Sequence, residues 1–438
     1  MAKRISLIVS YFLLVVMTLA ACRQYDLQEV EEEISSLRNA LSETTAEAPA
    51  SSAESSEGKA VEDNKAVQTG YKGILSSEYQ IIGNKFYFRT QTLKMIEEKN
   101  RAVNITSYYD LLTGRHDVIC PDPLCGHNDP SVCKYIDVGG YTDFIFADEN
   151  TYIRGYRPNV NQNDKIYKFD LRTGEAVKLF SPKQISSDLI KVENGVLYLV
   201  DQYSKVKNGT SSSKSTLYGI VIETGEIVLE QTLPQNYRVI CYENGKLFMD
   251  NVRSIVYTDL YLSDETTILE YNSADDFGTW YYDTNNDEFW FSIINTEHHI
   301  GKVYVYQKGL CDQIDFPVDE IYYFQLTDSR IYYSPYEPVY LGENPTLPDG
   351  LWDYSGGKIY EVSRTDPGGD PKLVYDANGE FFISRLGVGN YVIFDDELFF
   401  DKRELVTRED GVYFYGAGEL PKVHIDLTTG MREFIRFE

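Results

Sequence analysis

Glu193-Asn194-Gly195-Val196-Leu197-Tyr198-Leu199 is answered 50 residues later by Glu243-Asn244-Gly245-Lys246-Leu247-Phe248-Met249. In both copies Asn-Gly supplies the positive-φ positions of a tight hairpin turn, and a short apolar, aromatic strand follows at once. The first copy continues through Leu217-Tyr218-Gly219-Ile220, the turn Thr224-Gly225-Glu226 and Ile227-Val228-Leu229, and the second continues to Ile255-Val256-Tyr257. The repeating unit is therefore a turn, an aromatic strand, a gap, a second aromatic strand, a polar turn and an apolar strand. Its glycines serve turn chemistry and do not form a phosphate cradle.

Five weaker copies flank this pair. They run from Asn84-Lys85-Phe86-Tyr87-Phe88 with Leu112-Thr113-Gly114, and from Glu149-Asn150-Thr151-Tyr152-Ile153 with Ile166 to Gly174. The others run from Asp287-Glu288-Phe289-Trp290-Phe291 with Lys302 to Tyr306, from Asp328 to Tyr333 with Lys358 to Val362, and from Asp396 to Phe400 with Val423 to Gly430. Seven copies over residues 71–438 give about 53 residues each, enough for four short strands and their turns. The sequence predicts an all-β body, a seven-bladed β-propeller; one blade overlooked, a sandwich pair or an open solenoid are the alternatives. The 36 Tyr and 21 Phe, and the absence of long amphipathic periodicity after residue 70, agree with it.

The phrases Ile166-Tyr167-Lys168-Phe169-Asp170-Leu171 and Val423-His424-Ile425-Asp426-Leu427 resemble the tryptophan-poor propellers of bacterial surface proteins, similar to the YWTD propellers of lipoprotein receptors. The YWTD string itself is absent. The likeness spans residues 71–438 and implies a body that binds a ligand or partner.

The N-terminus carries its own signal. Lys3 and Arg4 precede an apolar run from Ile5 to Ala21, and Leu19-Ala20-Ala21-Cys22 resembles the lipobox of bacterial lipoproteins. The likeness implies a signal peptide over residues 1–21, lipidation (palmitate or a similar acyl chain) at Cys22, and a lipid-anchored protein on the extracytoplasmic face of the cell membrane. Leu27, Val30, Ile34, Leu37 and Leu41 recur at spacings of three and four, which predicts a short amphipathic helix over 22–41. Residues 42–70, rich in Ser, Ala and Glu, cannot bury enough apolar surface to offset ordering and read as a disordered, flexible linker.

Cys120-Pro121-Asp122-Pro123-Leu124-Cys125-Gly126-His127, with Cys133 shortly after, is the densest chemical signal in the chain. Three thiolates and an imidazole form a closed tetrahedral set for Zn at Cys120, Cys125, His127 and Cys133. Extracytoplasmic cysteines also oxidise, so one disulfide with a spare thiol, which Cys241 or Cys311 could pair, is the other reading. The string resembles a Cys-x-Asp-Pro-x-Cys-x-His element of surface lipoproteins of Firmicutes, a likeness that does not assign the ligand.

Other sites are weaker. Trp280, Tyr282 and Trp290 offer a ligand rim for glycan, against the competing reading that they pack between sheets. Ser273 to Trp280 resembles the aspartate box of sialidase propellers, with its glycine one residue late. Asn159, Asn161, Asn163 and Asp164, and Asn285 to Glu288, read as solvated turns, and His298-His299 as a loop. Hydrolase, zincin, Walker and EF-hand motifs are missing. A formal charge of -27 opposes nucleic acid and anionic bilayers as partners. The expected function is a membrane-anchored, non-enzymatic binding or scaffold protein for an extracellular protein or glycan. The alternative is a propeller glycoside hydrolase or lyase acting on polysaccharide.

Overall fold

A computed structural model of the chain describes residues 79–435, less the connecting positions 83, 97–98, 123, 126–132, 134, 139–143, 157–164, 183–185, 208–209, 273–274, 296–299, 345–346, 354–356, 378–390, 395–396, 402–403, 410 and 416–421. The chain divides into Met1–Lys65 and Ala66–Glu438, and everything described lies in the second unit. The expected signal peptide, lipidated Cys22, short helix and linker all lie outside the described residues. Among the described residues every regular element is a strand.

The strands follow one another as four-stranded antiparallel meanders arranged as a propeller. Counted as hydrogen-bonded sheets, the principal blades number six, with two added two-stranded hairpins, and not the seven separate blades expected. The reason is local. The fifth repeat (Asp275–Gln313) and the sixth (Ile321–Asp376) join through the pairing of Gly301 with Ile321 into one eight-stranded sheet. Gly301 permits it, since a Cβ there would lie 2.7 Å from the Ile321 carbonyl oxygen.

Turn chemistry sets each meander. Asn194 and Gly195 take φ 51° and 74°, and Asn244 and Gly245 take 49° and 75°, as the Asn-Gly pairs require. At the third-to-fourth-strand turn the phrase Asp-Leu-x-Thr-Gly recurs at 110–114, 170–174 and 426–430. Its aspartate accepts two amides of the turn, from Leu112 and Thr113 at 3.0 and 3.1 Å, Arg172 and Thr173 at 2.8 and 3.2 Å, and Thr428 and Thr429 at 2.8 and 3.0 Å.

Burial grades across each sheet. Second strands such as Glu288–Asn295 are buried almost throughout, whereas fourth strands such as Ile227–Thr232 are largely exposed. First strands meet across sheet boundaries: Tyr79–Ile82 with Phe144–Asp148, the latter with Ser186–Glu193, that with Arg238–Glu243, and Asp275–Asp283 with Ile321–Leu326. First strands therefore surround the axis and fourth strands face outward. Because every meander is traversed in the same order, first-to-second and third-to-fourth turns share one edge of the ring. Second-to-third connections and passages between meanders share the other. We call these the turn edge and the loop edge.

Each boundary between consecutive meanders holds an aromatic pair. Tyr87 meets Phe146 at 4.3 Å, Phe180 meets Tyr218 at 5.1 Å, Tyr198 meets Tyr242 at 5.1 Å, and Phe248 stacks on Phe289 at 4.3 Å. Tyr281 meets Phe324 at 5.2 Å and Tyr323 meets Tyr391 at 4.9 Å. The circle closes where Phe86 stacks on Phe399 at 4.7 Å, reinforced by Tyr109 Oη and His424 Nδ1 at 3.2 Å. Among the described residues the first and last meanders share no strand.

Closure thus rests on side chains, and Phe399→Ala is expected to cost about 3–5 kcal/mol, as for a buried phenylalanine whose neighbours cannot collapse. Denaturant unfolding measures it. A loss under about 1 kcal/mol would show that the Phe86–Phe399 contact does not hold the ring closed.

Candidate active site

The turn edge is stitched by charge. Lys191 Nζ lies 2.6 Å from Glu243 and Lys246 Nζ 2.8 Å from Asp287, each pair crossing a boundary between meanders. Between the fifth and sixth repeats, Arg364 is enclosed by Asp283, at 2.5 Å, and Glu288. Glu288 also accepts the Trp290 indole N–H at 2.9 Å, and the guanidinium lies 5.5 Å from the Trp290 ring centre. Burial pushes the Asp283 carboxyl up, but hydrogen bonds from Asn286, Arg364 and the Asn285 amide outweigh it and hold the group below its ordinary value. At the closing seam His424 bridges Tyr109 and Glu397. Every group here is consumed by a neighbour.

The loop edge is different. Arg238 opens its first strand and pairs in register with Asp250, which ends the second. Its guanidinium donates to Asp250 Oδ2 at 2.9 Å and lies 3.7 Å from Asp276 Oδ1 on the next meander. Tyr271, just past the fourth strand Thr266–Glu270, donates to the other Asp250 oxygen. Burial first, and then this bond to the carboxylate, raise the Tyr271 hydroxyl well above its ordinary value, so it stays a proton donor at neutral pH. Phe277 supports Arg238 from below, 5.8 Å from its guanidinium carbon.

Exposure sorts the roles. The Asp250 side chain is 6% exposed, whereas Arg238 and Asp276 are 52% and 59% exposed. A buried carboxylate and a phenol thus hold a cation that faces solvent beside an open carboxylate. Two further polar pairs lie on this edge: Asn295 donates to Asp275 at 2.9 Å and Gln202 to Asp188 at 2.5 Å.

Cys120, Cys125 and Cys133 also sit on the loop edge, in the passage from the first meander to the second. Their sulfurs lie within 4.8 Å of one another and none is in a disulfide. A cluster of three thiols able to coordinate a metal ion is therefore present; His127, the expected fourth ligand, lies outside the described residues. Burial pushes the Cys133 thiol up to about 12 and raises Cys120. Cys241 and Cys311 belong to a core cluster of the fourth and fifth repeats, apart from these three.

Tyr282 and Trp290 are buried and Trp280 is half-buried, all beneath neighbouring sheets. This is the packing expected of a propeller boundary. Elsewhere on the loop edge Tyr340, half exposed, meets the partly buried Trp352 edge-on at 5.1 Å on the hairpin Val339–Asn344/Leu347–Asp353. Asn285 and Asn286 amides bind Asp283, and Asp287 binds Lys246, so that turn uses its own oxygens. His298, His299 and residues 159–164 lie outside the described residues.

From Asp275 on, the aspartate-box-like string forms a first strand, Asp275–Asp283, and its Asp276 belongs to the charged cluster. Arg238, Asp250 and Tyr271 went unrecognised in the sequence, because three separate strand ends bring them together.

No known protein family matches the chain, and no curated protein matches it. Solved structures do. An acylaminoacyl peptidase of Pyrococcus horikoshii superposes at TM-score 0.49 with 13% identity over 84% of this chain, which spans about half (53%) of that protein. The β-propeller domain of the Trilobed protease from Pyrococcus furiosus, described as having an open velcro topology, superposes at 0.48 with 13% identity, covering 84% of this chain and 96% of that one. The polysaccharide lyase Uly1 superposes at 0.46 with 10% identity, covering 90% and 94%. The three named are a peptidase, the propeller domain of a protease and a lyase, and the expectation of a non-enzymatic binding or scaffold head is withdrawn.

The Arg364 enclosure gives a prediction with a sign. Arg364→Ala leaves two buried carboxylates without their cation and should cost about 3–5 kcal/mol at neutral pH. Asp283 is depressed in the folded state, so its share of stability is full above its unfolded value near 4 and is lost as pH falls through the lower folded value. Urea unfolding at pH 7 and pH 3 should therefore show the gap between wild type and variant narrowing at the lower pH. An equal gap at both would overturn the assignment.

Proposed function

We propose that the protein is a propeller enzyme that cleaves polysaccharide, with its chemistry at Arg238, Asp250, Tyr271 and Asp276. The observation that carries this reading is the convergence of two carboxylates on one guanidinium at the loop edge, with one carboxylate open to solvent. In this reading Asp276 takes the proton from the attacking water as the water oxygen bonds to the anomeric carbon and the glycosidic C–O bond breaks, Arg238 stabilises the charge on the departing sugar oxygen, and that oxygen takes a proton from solvent while Asp276 releases its own. Asp250 and Tyr271 are positioning residues that fix the guanidinium. Tyr340 and Trp352 offer sugar rings an aromatic face on the same edge. The acidic chain, at -27, favours a neutral glycan over a polyuronate and so hydrolysis over uronate elimination.

Three further readings complete the proposal. The ring counts seven repeating units, which the division of the eight-stranded sheet into two four-stranded halves supports. The three thiols and His127 hold a Zn ion as a structural centre. The chain is a bacterial surface lipoprotein related to the YWTD-like propellers, acylated at Cys22 and lifted from the membrane by residues 42–70. The Leu19 to Cys22 string supports this anchoring.

Reducing-end release from a panel of neutral polysaccharides tests the activity. Asp276→Asn should lower turnover about 10²- to 10⁴-fold while leaving the unfolding curve unchanged, as for loss of a general base. A folded wild-type protein that cleaves none of the panel, or a variant that keeps full rate, contradicts the proposal. For the anchor, Cys22→Ser should abolish incorporation of labelled fatty acid into the protein, and labelling that persists in the variant would rule out lipidation at Cys22.

A further inference from the structure

Two of the loop-edge hairpins are far longer than the sheets that carry them. Lys85–Ile96 and Lys99–Asp110 pair along their full length, yet the first strand covers only residues 85–88 and the fourth only residues 107–110. Val196–Lys207 and Thr210–Val221 form a matching projection in the third meander, where the flanking strands cover only 196–202 and 216–220. A two-stranded ribbon standing beyond its sheet is marginal by itself. The first of these ribbons, however, gains a third strand.

That third strand is Ile136–Val138, which pairs with Val103, Asn104 and Ile105. It resumes the edge of the ribbon where the fourth strand Arg115–Val118 leaves off; the last bond before the chain departs is Ile119 N–H to the Thr106 carbonyl at 3.1 Å. Between departure and return lies the cysteine segment. Cys120 follows the departure directly and Cys133 precedes the returning strand, so joining their sulfurs closes the loop whose end is that strand. Closing a loop raises the local concentration of its ends and so favours the pairing.

The surroundings fit a thiolate centre. The Tyr135 hydroxyl is buried and has no hydrogen-bond partner among the described residues. A metal-bound thiolate would give it the acceptor it otherwise lacks.

We infer that the metal centre is a staple for the loop edge: a thiophilic divalent cation on Cys120, Cys125 and Cys133 fixes Ile136–Val138 against the ribbon Lys85–Ile96/Lys99–Asp110 and so steadies that ribbon. The inference rests on the metal reading proposed above and is independent of the cleavage reaction. Among the described residues the ribbon of the third meander gains neither a third strand nor a thiol cluster, and this supplies an internal control.

The test uses the full chain. Metal content is measured by mass spectrometry, the ion is stripped with a chelator under reducing conditions, and limited trypsin digestion follows two sets of sites: Lys94, Lys99 and Arg101 in the stapled ribbon, and Lys205, Lys207 and Lys214 in the unstapled one. Stripping should speed cleavage at the first set at least tenfold, leave the second set unchanged, and be reversed by Zn. Cys125→Ser should behave as the stripped protein, with Cys125→His restoring protection, so a simple failure to fold is distinguishable. Absence of bound metal sinks the metal reading itself. Bound metal whose removal speeds both sets equally, or neither, leaves that reading standing and overturns the staple.

Discussion

Apart from the Gly301–Ile321 pairing, the meanders of this ring share no strand, and what passes between their faces holds them, aromatic contact above all. Each boundary needs two broad rings near 4–5 Å because twisted sheets diverge radially, and small side chains would leave a wedge of empty space. Pairs such as Phe248–Phe289 and Phe86–Phe399 fill the wedge with area and add about 0.5–1.5 kcal/mol each beyond it. The abundance of Tyr and Phe is thus a geometric requirement. Tyr281 also reaches across its boundary, with its hydroxyl 3.0 Å from the Tyr323 hydroxyl and from the Phe324 carbonyl.

The same traversal order in every meander then separates the molecule into two chemically unlike edges. The connections of the turn edge spend side chains on ion pairs that lock neighbours together. Lys191–Glu243, Lys246–Asp287 and the Arg364 enclosure are of this kind. Connections on the other edge carry no such duty. They vary in length, project ribbons and gather groups from three strand ends into one cluster, so rigidity and variability are divided between edges rather than mixed.

Much of the fold was legible in the sequence, because turn chemistry is local. Asn194-Gly195 and Asn244-Gly245 announce their positive φ values, and the strands after them alternate in sequence as they do in space. The merger of the fifth and sixth repeats was not legible. It depends on the missing Cβ of Gly301 facing a carbonyl 20 residues away, and a glycine inside a strand does not say what approaches it. The sequence leaves Trp290 and Tyr282 between an open rim and packing, because nothing in either residue alone distinguishes a buried boundary from an open rim. Burial of both follows from the neighbour across the seam.

The charged cluster shows why sites are harder to read than folds. Arg238, Asp250, Tyr271 and Asp276 are scattered over 39 positions, each an ordinary strand end in an acidic protein. What distinguishes them is the meander's geometry, which returns the start of a first strand, the end of a second and the end of a fourth to the same edge. Any propeller sequence therefore carries a restricted set of positions able to converge: residues opening first strands, closing second strands and following fourth strands. Cys120 and Cys133 obey the same constraint, since the passage between meanders begins where a fourth strand ends. Reading that set across all repeats, rather than searching for contiguous motifs, is the route by which a sequence of this class yields its chemistry.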